Sequence, residues 1–259
     1  MSMITVTYPL GKLESGQPPA AMVAETRPWG FWATLGWFCV AVATYAAITF
    51  LFGAGYVIYS VLTHPEAAIT FDSPTLDYLA SAIAMPSAAL VVMLAARYRG
   101  PALDYIGFAR PRAQHILIGL ASLSALWALW FGVLNLFPAY DQSRELIEEY
   151  RSILGNPAAL AAYWLLGVVT APVAEEIIFR GFIMRGWSAS RLGVIGTIVL
   201  SSAAFAVAHV QYNPLGMFVV FTLGLHFAIA RWRSGSTTLP IMMHMTWNFA
   251  VSLYCAWLI

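Results

Sequence analysis

Charge is scarce in this sequence. Charged residues make up 10% of the 259 positions and hydrophobic residues 60%, too little charge to cover the surface of a water-soluble domain of this size. Most of the surface is therefore read as facing lipid. Lysine is nearly absent: Lys12 stands alone among scattered arginines, and the net charge is only +1. With no basic patch, nucleic acid is excluded as a partner. Cysteine is also sparse. Cys39 and Cys255 lie inside apolar runs, without CxxC or Cys/His ligand spacing, and read as packing residues rather than a disulfide. Residues 1–29 lack any apolar stretch and hold Lys12, Glu14, Glu25, Arg27 and four prolines. No cleavable signal peptide is expected there, and the segment reads as a flexible cytoplasmic tail.

What the sequence has in abundance is long apolar runs. A membrane span needs about 20 such residues, and candidates lie at 31–62, 78–96, 115–137, 157–184, 193–212, 214–230 and 237–258. Each is expected to be helical, because unpaired backbone groups are too costly in hydrocarbon. The predicted fold is an all-α polytopic bundle of about seven transmembrane helices.

Arginine placement orients it. Arg97, Arg99, Arg110 and Arg112 fall between the second and third runs, Arg185 and Arg191 between the fourth and fifth, Arg231 and Arg233 between the sixth and seventh. These loops share one side, cytoplasmic by the positive-inside rule. The opposite loops hold Glu66, Asp72 and Asp77, then Asp141, Glu145, Glu148 and Glu149. The N-terminus is accordingly expected in the cytoplasm.

Ionisable groups inside a span are expensive and by default suggest a functional site. The fourth run contains Glu175, Glu176 and Arg180. Adjacent helical residues point about 100° apart, so the two carboxylates cannot share a direction. Glu176 and Arg180, four apart, can pair on one face. Glu175 is then left as a carboxylate suited to act as a general base toward water. The competing structural reading is an ion-pair network that only joins helices. Pro172, three residues before Glu175, removes a backbone hydrogen bond and can bend the helix or open a polar recess.

His209 lies in the fifth run, in Phe205-Ala-Val-Ala-His209, and a lone membrane histidine serves as readily to join helices as to do chemistry. In the seventh run His244 and Asn248 are four apart, which puts imidazole and amide on one helix face. Such a pair can activate water or donate to a developing oxyanion. Counting along each helix from its arginine-bearing end puts Glu175, His244 and Asn248 roughly 10 to 16 Å deep and His209 nearer roughly 24 Å. His226, near the arginine-bearing end of the sixth run, reads as a packing or interfacial histidine.

Taken together, these motifs resemble the CAAX protease and bacteriocin-processing family, the CPBP or Abi intramembrane proteases. Its signatures are Glu-Glu-x-x-x-Arg, Phe-x-x-x-His and His-x-x-x-Asn/Asp, in that order on separate helices. Here they are Glu175-Glu176 with Arg180, Phe205 with His209, and His244 with Asn248. The resemblance covers roughly residues 157 to 250 and divides the chain into the tail (1–29), N-terminal membrane helices (30–156) and a catalytic membrane region (157–259). It implies a bundle whose water-containing cavity opens to the cytosol. Glu175 and His209 would activate water for peptide hydrolysis, His244 and Asn248 would stabilise the oxyanion, and Glu176 and Arg180 would support the site from behind.

Glu175, His209 and His244 form a set that zinc could take, with water completing a tetrahedron. Against this, an amide is a poor zinc ligand and the His-Glu-x-x-His spacing of ordinary zinc proteases is missing. The reading favours a site without an obligate metal. The expected partners are the lipid bilayer and a membrane-embedded or lipidated peptide, either CAAX-like or a leader peptide. The expected location is the bacterial cytoplasmic membrane. A proton-coupled transporter, or a non-catalytic scaffold of the same fold, is the alternative.

Overall fold

In hydrocarbon, each segment has to satisfy its own backbone groups, and a helix does so without a partner strand. The computed structural model describes residues 27–63, 73–137 and 143–259, which form helices and turns with no strand among them. The expected tail falls almost wholly within residues 1–26, outside the described residues. In chain order the helices are α1 (Phe31–Thr63), α2 (Pro74–Arg97), the short α3 (Ala102–Ile106), α4 (Ala113–Leu136), α5 (Ser143–Ile153), α6 (Pro157–Ser188), α7 (Gly193–Val207), α8 (Pro214–Ser234) and α9 (Thr238–Trp257).

All seven apolar runs are helical. Five of the helices, α1, α2, α4, α6 and α8, are long and apolar enough to cross a membrane. Helix α7 has only 15 residues, and α9, at 20 residues, is made less apolar by His244, Thr246 and Asn248. The fifth run differs from expectation at its end. The helix stops at Val207 instead of reaching 212, and residues 208–212 form turns. The acidic stretch expected as a loop holds helix α5, which turns Tyr150 and Ile153 inward and leaves Glu145, Glu148 and Glu149 exposed. Tyr78 of α2 donates to Glu149 Oε1 at 2.7 Å, tying α5 to the bundle.

Helix α2 runs beside both α1 and α6. Its buried residues are Ala80, Ala82, Ala84, Ala88, Ala89, Val92, Ala95 and Ala96, and this run of small side chains lets neighbouring backbones approach closely. Helix α6 is seated by glycines. A Cβ on Gly181 would lie 2.9 Å from Ile106 Cβ, and one on Gly186 would overlap Thr34 of α1.

The start of α9 is pinned to the α3 loop. Thr237 N donates to Gly107 O at 2.9 Å, Thr237 Oγ1 donates to Ile106 O at 2.5 Å, and Ser236 Oγ donates to Ala109 O. Gly107 supplies the left-handed residue (φ 68°) that ends α3 and brings this carbonyl around. These bonds fix the register of α9, and with it the heights of His244 and Asn248.

Candidate active site

Helix α6 carries both carboxylates and is not a regular α-helix. π-helical turns at Leu165–Thr170 and Ile177–Ile183 flank an α-helical piece, Ala171–Glu176. Pro172 lies at the start of that piece and has no N–H to give. The wider register before it relieves the ring's clash with the preceding turn, and π segments of this kind recur at functional sites.

Glu176 is fully buried, at 0% exposure. Its Oε1 accepts Arg180 Nη1 at 3.1 Å and His244 Nδ1 at 3.0 Å. The i,i+4 pair expected from the sequence is therefore present, and its carboxylate also holds the α9 imidazole. Arg180, equally buried, donates Nη2 to Gly224 O on α8 at 3.1 Å and lies 4.3 Å from the Phe205 ring centre, a cation–π arrangement. A Cβ on Gly224 would come 3.0 Å from Ser202 Cβ and 3.2 Å from Ser202 Cα. Only glycine presents its carbonyl there without moving α7.

Glu175 points elsewhere, as the helical geometry requires. Its side chain is 12% exposed and its Oε2 lies 3.8 Å from His244 Nε2, within ion-pair range but beyond hydrogen-bonding distance. His244 therefore stands between the two carboxylates. Phe227 stacks on its ring (centroids 5.0 Å apart, interplanar angle 27°), and Phe205 meets it edge-on at 5.8 Å. With Nδ1–H committed to Glu176, Nε2 is the ring atom left to face Glu175.

His209 lies just beyond α7, in the turn. Its Nδ1 is 2.8 Å from Phe205 O, and because a carbonyl only accepts, Nδ1 carries a hydrogen and Nε2 is the ring nitrogen left over. Its ring packs against Phe205 at 4.8 Å and Tyr212 at 5.8 Å. His209 and His244 thus share the Phe205 ring. No direct hydrogen bond joins His209 to Glu175 among the described residues.

Asn248 Nδ2 donates to Gly167 O of α6 at 2.7 Å. His244 and Asn248 do share a face, as expected, and that face lies against α6. His226 packs between α4 and α8, with Nε2 3.1 Å from Ser122 Oγ. Sequence reasoning missed Gly167, Gly224, Tyr212 and Phe227. A glycine inside an apolar helix is a signal of close backbone approach, but it does not say which neighbour approaches.

Among the described residues, no three His, Cys, Asp or Glu side chains gather into a group that could hold a metal ion. The Nδ1 atoms of both histidines are engaged by protein acceptors. Nε2 is the nitrogen left over in each ring, and as arranged Glu175, His209 and His244 do not form a preassembled metal group.

Comparison with known proteins finds a likeness in this region. Residues 157–250 match the family model described as type II CAAX prenyl endopeptidase Rce1-like. Over this segment the chain is similar to that family. The match contains Glu175, Glu176, Arg180, His209, His244 and Asn248, and agrees with the CAAX protease resemblance carried by the motifs. An Escherichia coli protein described as an uncharacterized 24.3 kDa protein is 35% identical over 80 residues, which cover 30% of this chain and 36% of that one. The chain thus spans about a third of the length of this curated relative. No solved structure gives a significant match.

Proposed function

We propose that the protein is an intramembrane endopeptidase that hydrolyses a peptide bond of a membrane-associated substrate, CAAX-like or leader-like, with residues 157–259 as its catalytic region. The observation that carries this reading is the placement of His244, held by Glu176 at 3.0 Å and facing Glu175 at 3.8 Å. Water is activated by Glu175 together with His209, whose Nε2 is free to accept a proton. As the water oxygen attacks the scissile carbonyl, negative charge develops on the carbonyl oxygen. His244 Nε2–H, in the doubly protonated ring, and the second amide hydrogen of Asn248 are the donors to that oxyanion. Collapse then breaks the C–N bond, and the departing amine takes the proton that water gave up.

Glu176 and Arg180 position His244 and do not react. The buried charged groups among the described residues are Glu176, Arg180 and His244, a single cluster, whereas a proton relay would need polar groups spread along a path. We place the chain in the bacterial cytoplasmic membrane with seven spans and its N-terminus in the cytoplasm.

The test is cleavage of a mixed library of lipidated and hydrophobic peptides by the detergent-purified protein, with Glu175→Ala run in parallel. Products lost in the variant support the reading. Equal products from both proteins, or none from either, defeat it.

A further inference from the structure

The carbonyl that Asn248 grips is one that its own helix cannot satisfy. In a regular α-helix Gly167 O would accept the N–H four residues on, at Ala171. Here Ala171 N donates instead to Leu166 O, five residues back, because Leu165–Thr170 is π-helical. In that register Gly167 O should accept from residue 172, which is proline and has no N–H. Both backbone donors are thus removed, one by register and one by side-chain chemistry. A half-buried carbonyl left in this way inside an apolar helix needs another partner, and Asn248 Nδ2 supplies it at 2.7 Å.

Two anchors flanking Pro172 therefore join α9 to α6, besides the Ser252–Tyr163 bond further along. His244 binds Glu176 on one side of the α-helical piece, and Asn248 binds Gly167 on the other side of Pro172. Because an amide nitrogen carries two hydrogens, the one used on Gly167 O fixes the direction of the other.

We propose that Pro172 creates at Gly167 O a built-in acceptor for Asn248, so that the proposed oxyanion donor is also a latch that holds α9 to the carboxylate helix and aims its second N–H at the reacting carbonyl. The latch stands on backbone geometry alone. Only its effect on turnover rests on the protease reading.

The test is a double-mutant cycle of Pro172→Ala and Asn248→Ala, read first as apparent melting temperature of the full chain in detergent. Asn248→Ala alone should lower it by about 2–4 °C. In Pro172→Ala, where residue 172 regains an N–H for Gly167 O, the same change should cost less than about 1 °C. Equal losses in both backgrounds overturn the latch. Asn248→Asp provides a check that does not depend on how Pro172→Ala folds. Its carboxyl donates to Gly167 O only when protonated, so this variant should gain melting temperature relative to wild type as pH falls from 8 to 5. An unchanged difference overturns the proposal.

Turnover gives the third reading. Asn248→Ala should lower kcat by about 10²- to 10³-fold, and Pro172→Ala should make it no worse. Multiplying losses would mean that Asn248 acts without the latch. If wild type cleaves no peptide, the protease reading falls, and the melting cycle still decides the latch.

Discussion

The carboxylate of Glu176 holds the imidazole of His244 at 3.0 Å while its neighbour Glu175 faces the other nitrogen of the same ring at 3.8 Å. One helical step separates the two carboxylates, and that step divides their work. Glu175→Gln should reduce cleavage to background and leave the melting temperature almost unchanged. Glu176→Gln should destabilise the bundle by about 3–5 kcal/mol, because it leaves the Arg180 guanidinium buried without its counter-charge. Thermal unfolding of the two variants side by side checks this, and matching shifts would contradict the division.

His209 sits beyond the end of α7, half-buried, and among the described residues its ring makes no helix-to-helix hydrogen bond. Replacing it with alanine should therefore cost little stability. Turnover should drop by about 10²- to 10⁴-fold, the range for loss of a general base. A variant with wild-type rate would remove His209 from the proposed water activation.

Two glycines present carbonyls to the site, and they should respond differently to the same substitution. Gly224→Ala forces a Cβ to within 3.0 Å of Ser202 Cβ and 3.2 Å of its backbone, and should cost about 1–3 kcal/mol. Gly167→Ala adds a methyl with nothing within 4 Å, and should leave stability unchanged or raise it by up to about 1 kcal/mol. Melting curves for both variants distinguish a crowded carbonyl from an open one.

His226 bonds Ser122 across the α4–α8 contact and touches none of the proposed reacting groups. In His226→Leu the cleavage rate should stay within about twofold of wild type, with a stability loss of about 1 kcal/mol for the missing bond. A large fall in rate with intact folding would give His226 a part in the chemistry that its surroundings do not suggest.

Much of this architecture was legible because membrane helices announce themselves by length. Runs 78–96 and 115–137 lie within or nearly coincide with α2 and α4, since burying a backbone in lipid leaves a helix as the solution. Helices α3 and α5 were not legible. The first has five residues, and the second is amphipathic, so neither forms an apolar run. The end of α7 was hidden because Val207 and Val210 are equally apolar, although only the first is helical.

At the site, the Glu176–Arg180 pair followed from an i,i+4 spacing, a local property. The Glu176–His244 bond spans 68 positions and depends on how α9 packs, which spacing does not encode. Pro172 drew attention as a possible break in the helix, but the carbonyl it orphans belongs to Gly167, which sequence alone gave no reason to single out.

Because Glu176 and Arg180 bond within a single helix, their partnership does not wait for the rest of the protein. Gly224 and His244, the other contacts, come from helices translated later. On the scale of membrane insertion, an unpaired charge at mid-helix costs about 2.5–3.5 kcal/mol. A carboxylate and a guanidinium that neutralise one another one turn apart lower that barrier while α6 is still leaving the ribosome. The ion pair that later anchors His244 thus also eases the biogenesis of the helix that carries the proposed base.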